Sequence, residues 1–287
     1  MNETIQVRSL GEISFDELYA VHSEAFKEYP VSWTKEEYGR MLNRRGYDPS
    51  LSFGAFHHGA LVSFTLNGIG LFNGLPSAYD TGSGTIEQYR GQGLAGRIFE
   101  FAAPVLKQAG VRQYVLEVLQ DNAPAISVYT KQGFKVTREF ECYKVSVADW
   151  QMSAGRGFAG IQLKEIGFDN CEQMNSLIDF VPSWQNSFES LLRKQDDFVV
   201  IGAYSDLRLV GYGIIEPDTG DIPQLAIAES ERRKGIGSLI LATLKGRSRA
   251  EIAKVINVEG GRSSIARFIL NNGIPRFASQ FEMVKEL

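Results

Sequence analysis

The run with the clearest chemical potential is Arg90-Gly91-Gln92-Gly93-Leu94-Ala95-Gly96, a glycine-rich turn that leads into a helix-like pattern. Glycines let a backbone turn tightly and approach a ligand. The free N–H groups of a first helical turn, at the positive end of the helix dipole, suit a phosphate or pyrophosphate. Gly91, Gly93 and Gly96 also spell the dinucleotide-binding string GxGxxG, with an acid, Glu117, about 20 residues further on. A nicotinamide- or flavin-binding domain would open on that string, whereas here two helical patterns and several strand-like runs come first. A turn that merely caps a helix is a third reading. It leaves unexplained why an arginine-led turn returns as Arg232-Arg233-Lys234-Gly235-Ile236-Gly237. Neither of the two cysteines, Cys142 and Cys171, lies in a CxxC pair, and His22, His57 and His58 lack metal-ligand spacing, so no disulfide and no metal are expected.

The elements that must position this turn are organised by a repeat. Pro30 to Trp33 is echoed by Pro182 to Trp184, Gly54-Ala55-Phe56 by Gly202-Ala203-Tyr204, and Leu61 to Phe64 by Leu209 to Tyr212. These echoes and the glycine turns recur 142 to 151 residues apart, a domain-sized unit. Two domains are therefore expected, at 1–150 and 159–287, with a linker at 151–158 where Ser-Ala-Gly-Arg-Gly replaces periodic sequence. The 287 residues are 44% hydrophobic and 22% charged, enough for two cores. A net charge of −4 argues against a nucleic-acid partner, and no run reaches the length of a membrane span or a signal peptide, so a cytoplasmic protein without a membrane partner is expected.

Each copy reads as strand, two helices, three strands, helix, strand, helix and a final pair of strands. In the first copy Ser14 and Glu17 predict a capped helix with Phe15, Leu18, Tyr19, His22 and Phe26 on one face, and Thr34 with Glu37 predicts a second. Residues 51–86 read as three strands turning at His58-Gly59 and Asn73-Gly74. Leu94, Ile98, Phe101 and Val105 give an amphipathic helix, followed by a strand to Leu119, a helix over 124–132 and a pair of strands over 134–147.

At this point the residues resemble a known family. Arg90, Gly93 and Ala95, and again Arg232, Gly235 and Gly237, match the pyrophosphate motif Gln/Arg-x-x-Gly-x-Gly/Ala of the GCN5-related N-acetyltransferases. Asn122, Tyr129 and Gly133-Phe134 match the family's later motif. The resemblance implies a mixed α/β fold, two tandem domains of a mostly antiparallel sheet with flanking helices, and acetyl-CoA as the acyl donor. It implies that the pantetheine arm lies between the fourth and fifth strands, from Gly84, Thr85 and Ile86 to Asn122, with a strand N–H holding the thioester carbonyl. The N–H groups from Gly91 to Gly96 would hold the pyrophosphate, with charge from Arg90. Tyr129 would be the acid that protonates the departing thiolate, or a helical aromatic packed on the sheet. Asn122 would bind the pantetheine amides or cap a helix. Glu117 and Asp80 are the candidate bases, each with a structural hydrogen-bonding alternative. Phe26, Tyr29 and Trp33 fall where the family lines its acceptor pocket.

The second copy keeps the glycine turn but has Phe268-Ile269 where the first has its tyrosine, so catalysis is assigned to the first copy and support to the second. The expected activity is acetyl transfer to a primary amine of a small molecule by direct attack in a ternary complex, in a monomer or homodimer. A protein N-acetyltransferase and a non-catalytic acyl-CoA-binding protein are the alternatives.

Overall fold

The computed structural model describes residues 5–28, 33–152, 160–261 and 264–287. They form two compact units, one of Met1–Thr137 with Glu282–Leu287 and the other of Arg138–Phe281. The expected linker lies almost wholly outside the described residues.

Unit 1 begins with β1 (Gln6–Ser9), α1 (Phe15–Ala25) and α2 (Lys35–Arg44). Ser14 Oγ accepts the Glu17 N–H at the start of α1. At α2 the capping box is complete, because Thr34 Oγ1 accepts the Glu37 N–H and the Glu37 carboxylate accepts the Thr34 N–H. Three antiparallel strands follow, β2 (Phe53–His57), β3 (Ala60–Phe72) and β4 (Leu75–Thr85). Their turns are the expected ones. His58-Gly59 and Asn73-Gly74 both have positive φ at each residue, which matches the right-handed twist of a tight hairpin. Next come α3 (Leu94–Gln108), β5 (Gln113–Leu119) and α4 (Ala123–Lys131). One core lies under α1 and α2, from Leu18, Tyr38 and Leu42 to Phe64 and Leu66. Under α3 and α4, Phe99, Tyr114 and Phe134 meet largely edge to face.

Two expectations are corrected in this unit. The buried stripe of α3 is Leu94, Ile98, Phe99, Ala102 and Leu106 rather than one through Phe101 and Val105. The four-residue spacing that starts at Leu94 carries through to Leu106 and turns Phe101 outward, 42% exposed. The expected final pair of strands is one strand, β6 (Lys135–Ser146), most of which belongs to unit 2. Unit 1 instead completes its sheet with the end of the chain. The Leu287 N–H bonds the Arg112 carbonyl, and Thr137 Oγ1 bonds the Glu282 carboxylate at 2.8 Å.

Unit 2 contains β7 (Ile161–Ile166), α5 (Cys171–Asn175), α6 (Phe188–Leu192), β8 (Val199–Ser205), β9 (Arg208–Glu216) and β10 (Asp221–Ile227). It continues with α7 (Ile236–Arg247), β11 (Ile252–Glu259), α8 (Ser264–Asn271) and the first half of β12 (Arg276–Glu286). Its sheet order includes β6-β11-β10-β9-β8-β7, with β6 antiparallel to β11. A core of Ile201, Val210, Ile215, Ile240, Leu244 and Val255, among others, packs under α7. No helix among the described residues is long and apolar enough to cross a membrane.

Candidate active site

In unit 1, β4 and β5 run parallel but pair only at Ser77, Ala78 and Tyr79 with Gln113, Tyr114 and Val115. Beyond Tyr79 they part. The gap is a cavity of about 180 Å³ whose lining includes Ser63, Asp80, Thr85, Tyr129 and Gln132. The cause is local. β4 carries one extra residue, Thr81, against β3, since Leu66 faces Gly82 while Asn67 faces Asp80. Such a bulge bends a strand and re-aims its side chains. Arg45 Nη1 pins the Thr81 carbonyl at 3.0 Å, and the buried Asn67 amide reaches the Leu51 carbonyl at 2.6 Å while accepting the Tyr114 hydroxyl.

The bulge brings Asp80 to the cavity wall. Its Oδ1 accepts the Gly82 N–H at 3.0 Å and its Oδ2 accepts Ser83 Oγ at 2.8 Å and the Tyr129 hydroxyl at 3.3 Å. Burial lifts the Asp80 carboxyl above the ordinary carboxylate range, opposed by those three hydrogen bonds and by the Arg45 charge. Burial first, and then the Asp80 charge, push the Tyr129 phenol well above its usual value, so it stays protonated at neutral pH. Tyr129 is held from behind by Phe134, edge to face at 5.6 Å.

Further along β4, the Ile86 N–H bonds the Val62 carbonyl of β3. Backbone groups alternate along an antiparallel strand, so the Thr85 N–H and carbonyl face the opposite, open edge. The Thr85 carbonyl there accepts Arg90 Nε at 3.2 Å. Gly84 is bare where aromatic rings lie against the strand. A Cβ on it would fall 2.7 Å from Phe64 Cζ and 2.9 Å from Phe26 Cε2.

The glycine turn follows. Gly91 and Gly93 have φ of 75° and 71°, in the left-handed region that L side chains resist, and a Cβ on either would meet nothing within 4 Å. Gly93 is the N-cap of α3, and the first intrahelical bond is from the Arg97 N–H to the Gly93 carbonyl. The N–H groups just ahead of Arg97 have no carbonyl one turn earlier to bond, as at any helix start. Gln92 reaches back to the Gln88 carbonyl. Leu94 is buried and anchors the helix, while Ala95 lines the cavity.

Several expected residues have other positions or partners. Arg90 does not aim its guanidinium at the turn's N–H groups. It braces the turn, bonding the carbonyls of Thr85 and Ala25 and pairing with Glu28 at 3.4 Å. Asn122 caps α4, its Oδ1 accepting the Ala125 N–H at 3.2 Å, and it does not line the cavity. Glu117 is also absent from the cavity wall and accepts the hydroxyl of the buried Tyr79. Phe26 packs with His22 and Phe64, and the Trp33 carbonyl accepts the Tyr19 hydroxyl at 2.7 Å. Tyr29 lies outside the described residues. Sequence reading missed Ser63, Ser83 and Gln132. Gln132 Nε2 is a buried donor without a hydrogen-bond partner among the described residues, close to where a Gly96 Cβ would point. Its position just before Gly133 was the available signal.

Unit 2 repeats the plan. Arg232 Nε bonds the Ile227 carbonyl five residues back and its outer end pairs with Asp179, as Arg90 does with Thr85 and Glu28. Gly235 has φ 83°, and Arg233 takes a left-handed 65° where Gly91 has 75°. The cavity at this turn is about 410 Å³, larger than that of unit 1.

The profile of the acetyltransferase (GNAT) family matches residues 18–134 and again 168–266. This chain belongs to that family. A mycothiol acetyltransferase of Corynebacterium aurimucosum is 30% identical over 130 residues, 41% of this chain and 42% of that protein. An N-alpha-acetyltransferase 30 of Schizosaccharomyces pombe is 39% identical over 49 residues, 17% of this chain and 33% of that one. Each match thus spans less than half of the relative. Among solved structures, a tandem GNAT protein from the clavulanic acid biosynthesis pathway superposes with a TM-score of 0.72 at 14% identity, covering 99% of this chain and 98% of that one. A GCN5-related N-acetyltransferase from Sphaerobacter thermophilus gives 0.71 at 14% identity, covering 98% and 95%. The tandem arrangement of two GNAT domains on a mixed α/β fold is therefore established.

Proposed function

We propose that unit 1 transfers an acetyl group from acetyl-CoA to the primary amine of a small molecule, in a ternary complex without an acyl-enzyme intermediate. The observation that carries this reading is the Asp80–Tyr129 pair on the wall of the cleft where β4 and β5 part, beside the open edge of Thr85 and the start of α3.

The fit to the donor rests on features of the chain. The left-handed Gly91 and Gly93 leave open space over the first N–H groups of α3, which suit the pyrophosphate. Gln132 Nε2 is an amide donor lacking a partner in the same cleft, suited to a pantetheine carbonyl. The Thr85 N–H at the open edge is the candidate donor to the thioester oxygen as negative charge develops on it. When bound, the donor supplies an activated acyl carbon.

Asp80 then accepts the proton that the attacking amine loses as the C–N bond forms. The C–S bond breaks, the electron pair leaves on sulfur, and Tyr129 gives its hydroxyl proton to that sulfur. Tyr129 recovers a proton from Asp80 across their shared hydrogen bond, so both groups return to their starting forms. Holding both reactants in line removes the entropy cost of their encounter. The small cavity, with Phe64, Phe99 and Phe134 on its lining, favours a compact acceptor over an extended chain. The alternatives, a protein amine or binding without turnover, are outcomes of the same experiment.

That experiment titrates acetyl-CoA calorimetrically into the wild type and Gly93→Val, then follows thiol release with small amines and peptides. The expected result is binding that the Gly93 variant weakens and turnover with a small amine. Binding without turnover on either panel, or turnover confined to peptides, would replace this reading with the corresponding alternative.

A further inference from the structure

The unit 2 cavity differs from that of unit 1 in chemistry as well as in size. β10 and β11 pair at a single position, Asp221 with Lys254, so the strands separate sooner than β4 and β5 do. The wall thus opened is apolar: Phe180, Pro182, Leu225, Ile227, Ile265 and Phe268 line it. A segment across the cavity, Ile178 to Pro182, is tied down by Asp179, which pairs with Arg232 and accepts Ser264 Oγ at 3.4 Å. Beside that pair, on a lining that also includes Glu231, stand Arg233, in the glycine turn, and Arg267, on α8. Both are exposed, and neither forms an ion pair among the described residues. The unit 1 turn, Gly91-Gln92-Gly93, offers no such charges. Where unit 1 has Tyr129, four residues before Gly133, unit 2 has Ile269, four before Gly273 and fully buried.

An anion-attracting mouth that leads into an apolar chamber suits a ligand with phosphates at one end and a hydrocarbon chain at the other. We propose that unit 2 binds a coenzyme A thioester whose acyl chain is longer than acetyl, with the phosphates at Arg233, Arg267 and the start of α7 and the acyl chain against Phe180 and Leu225. This rests on the reading that the glycine turns receive the coenzyme's pyrophosphate. It goes beyond that reading by assigning the two units different thioesters. An acetyl group would leave the apolar wall unfilled, whereas each further methylene taken out of water contributes about fourfold in affinity.

The test is calorimetric titration of coenzyme A, acetyl-CoA, octanoyl-CoA and octanoate into the full chain, into Phe180→Asn and into the double variant R233A/R267A. Arg233 and Arg267 are exposed and Phe180 is a partly buried residue at the edge of the core, and circular dichroism confirms that each variant is folded. The expected result is a site at which octanoyl-CoA binds at least tenfold tighter than acetyl-CoA. Phe180→Asn removes most of that preference, and R233A/R267A weakens both thioesters at least tenfold and flattens the salt dependence. Acetyl-CoA turnover in unit 1 is unchanged in both variants. Equal affinity for the two thioesters, with no effect of Phe180→Asn, would overturn the acyl-chain assignment while leaving the coenzyme reading intact. Octanoate binding as tightly as octanoyl-CoA would overturn the coenzyme half, with a plain fatty acid as the occupant. Failure of any coenzyme A species to bind the wild type would sink the donor reading itself.

Discussion

Replacing Tyr129 by Phe separates chemistry from packing, because the structure gives the two roles different sizes. The ring keeps its edge-to-face contact with Phe134. The variant loses one hydrogen bond, from the hydroxyl to Asp80, and at 3.3 Å it is a long one, worth no more than about 1 kcal/mol to stability. For a chain of this size that corresponds to a change of roughly 2–4 °C in Tm. Loss of a general acid costs about 10²- to 10⁴-fold in kcat, at least about 2.7 kcal/mol of transition-state stabilisation. The kinetic loss should therefore exceed anything destabilisation can explain, with KM for acetyl-CoA little altered. The pH profile adds a second signature. Activity needs Asp80 as carboxylate, so the acid limb rises through its pKa. The hydrogen bond from Tyr129 favours the charged form and lowers that pKa. Its removal must raise the pKa and move the acid limb of kcat/KM to higher pH. Steady-state thiol release across about pH 5–9 checks both effects. A kcat within about threefold of wild type would refute the acid role. A fall in kcat with an unmoved or downshifted acid limb would refute the coupling to Asp80.

Three further outcomes are expected. Gly68→Ala places a Cβ 2.1 Å from the Arg45 carbonyl oxygen and should cost more than about 3 kcal/mol in urea unfolding, whereas Gly82→Ala, with nothing within 4 Å of its Cβ, should be almost neutral. Thr34→Ala breaks the complete capping box of α2 and should lower stability by about 1 kcal/mol in the same assay. Burial among Tyr38, Phe26 and Phe64 lowers the pKa of His22 to about 4, so its neutral form is favoured in the folded state. That contribution is whole above the unfolded value of about 6.5 and is lost as pH falls from there towards 4, its size reduced by the solvent that reaches this half-buried ring. His22→Gln should flatten the urea stability curve across that window; an unchanged slope would place the acid sensitivity elsewhere.

Local signals carried much of the fold. Asn73-Gly74 marks a hairpin because both residues tolerate positive φ, and Thr34 with Glu37 marks a helix start because the pair satisfies its own N–H groups. The glycine turn and Tyr129 were legible through their order along the chain, whereas Asp80 stood only beside Glu117 as a candidate base, and nothing in the sequence joined it to Tyr129. Partner choice was not legible. Lys135–Ser146 and Arg276–Glu286 both contain Phe-Glu followed by Cys or Met, so their alternation suits either sheet, and only tertiary packing decides which strand completes which unit. The bracing role of Arg90 was hidden for the same reason: its acceptors, Ala25 and Thr85, are distant carbonyls with no side-chain signature.

The division of the chain also sets a timetable. Unit 1 is built from residues up to Thr137 and from Glu282–Leu287, so its sheet waits for about 145 residues of intervening synthesis. At ribosomal speeds of about 5–20 residues per second that is roughly 7–30 s during which the outer edge of β5 has no permanent neighbour. The nascent chain is most open to mispairing, and to chaperones, in that interval. A nick or stop between the two copies would leave unit 1 without Glu282–Leu287 and unit 2 without Arg138–Ser146, so an early halt in synthesis should yield a degraded fragment rather than a working half.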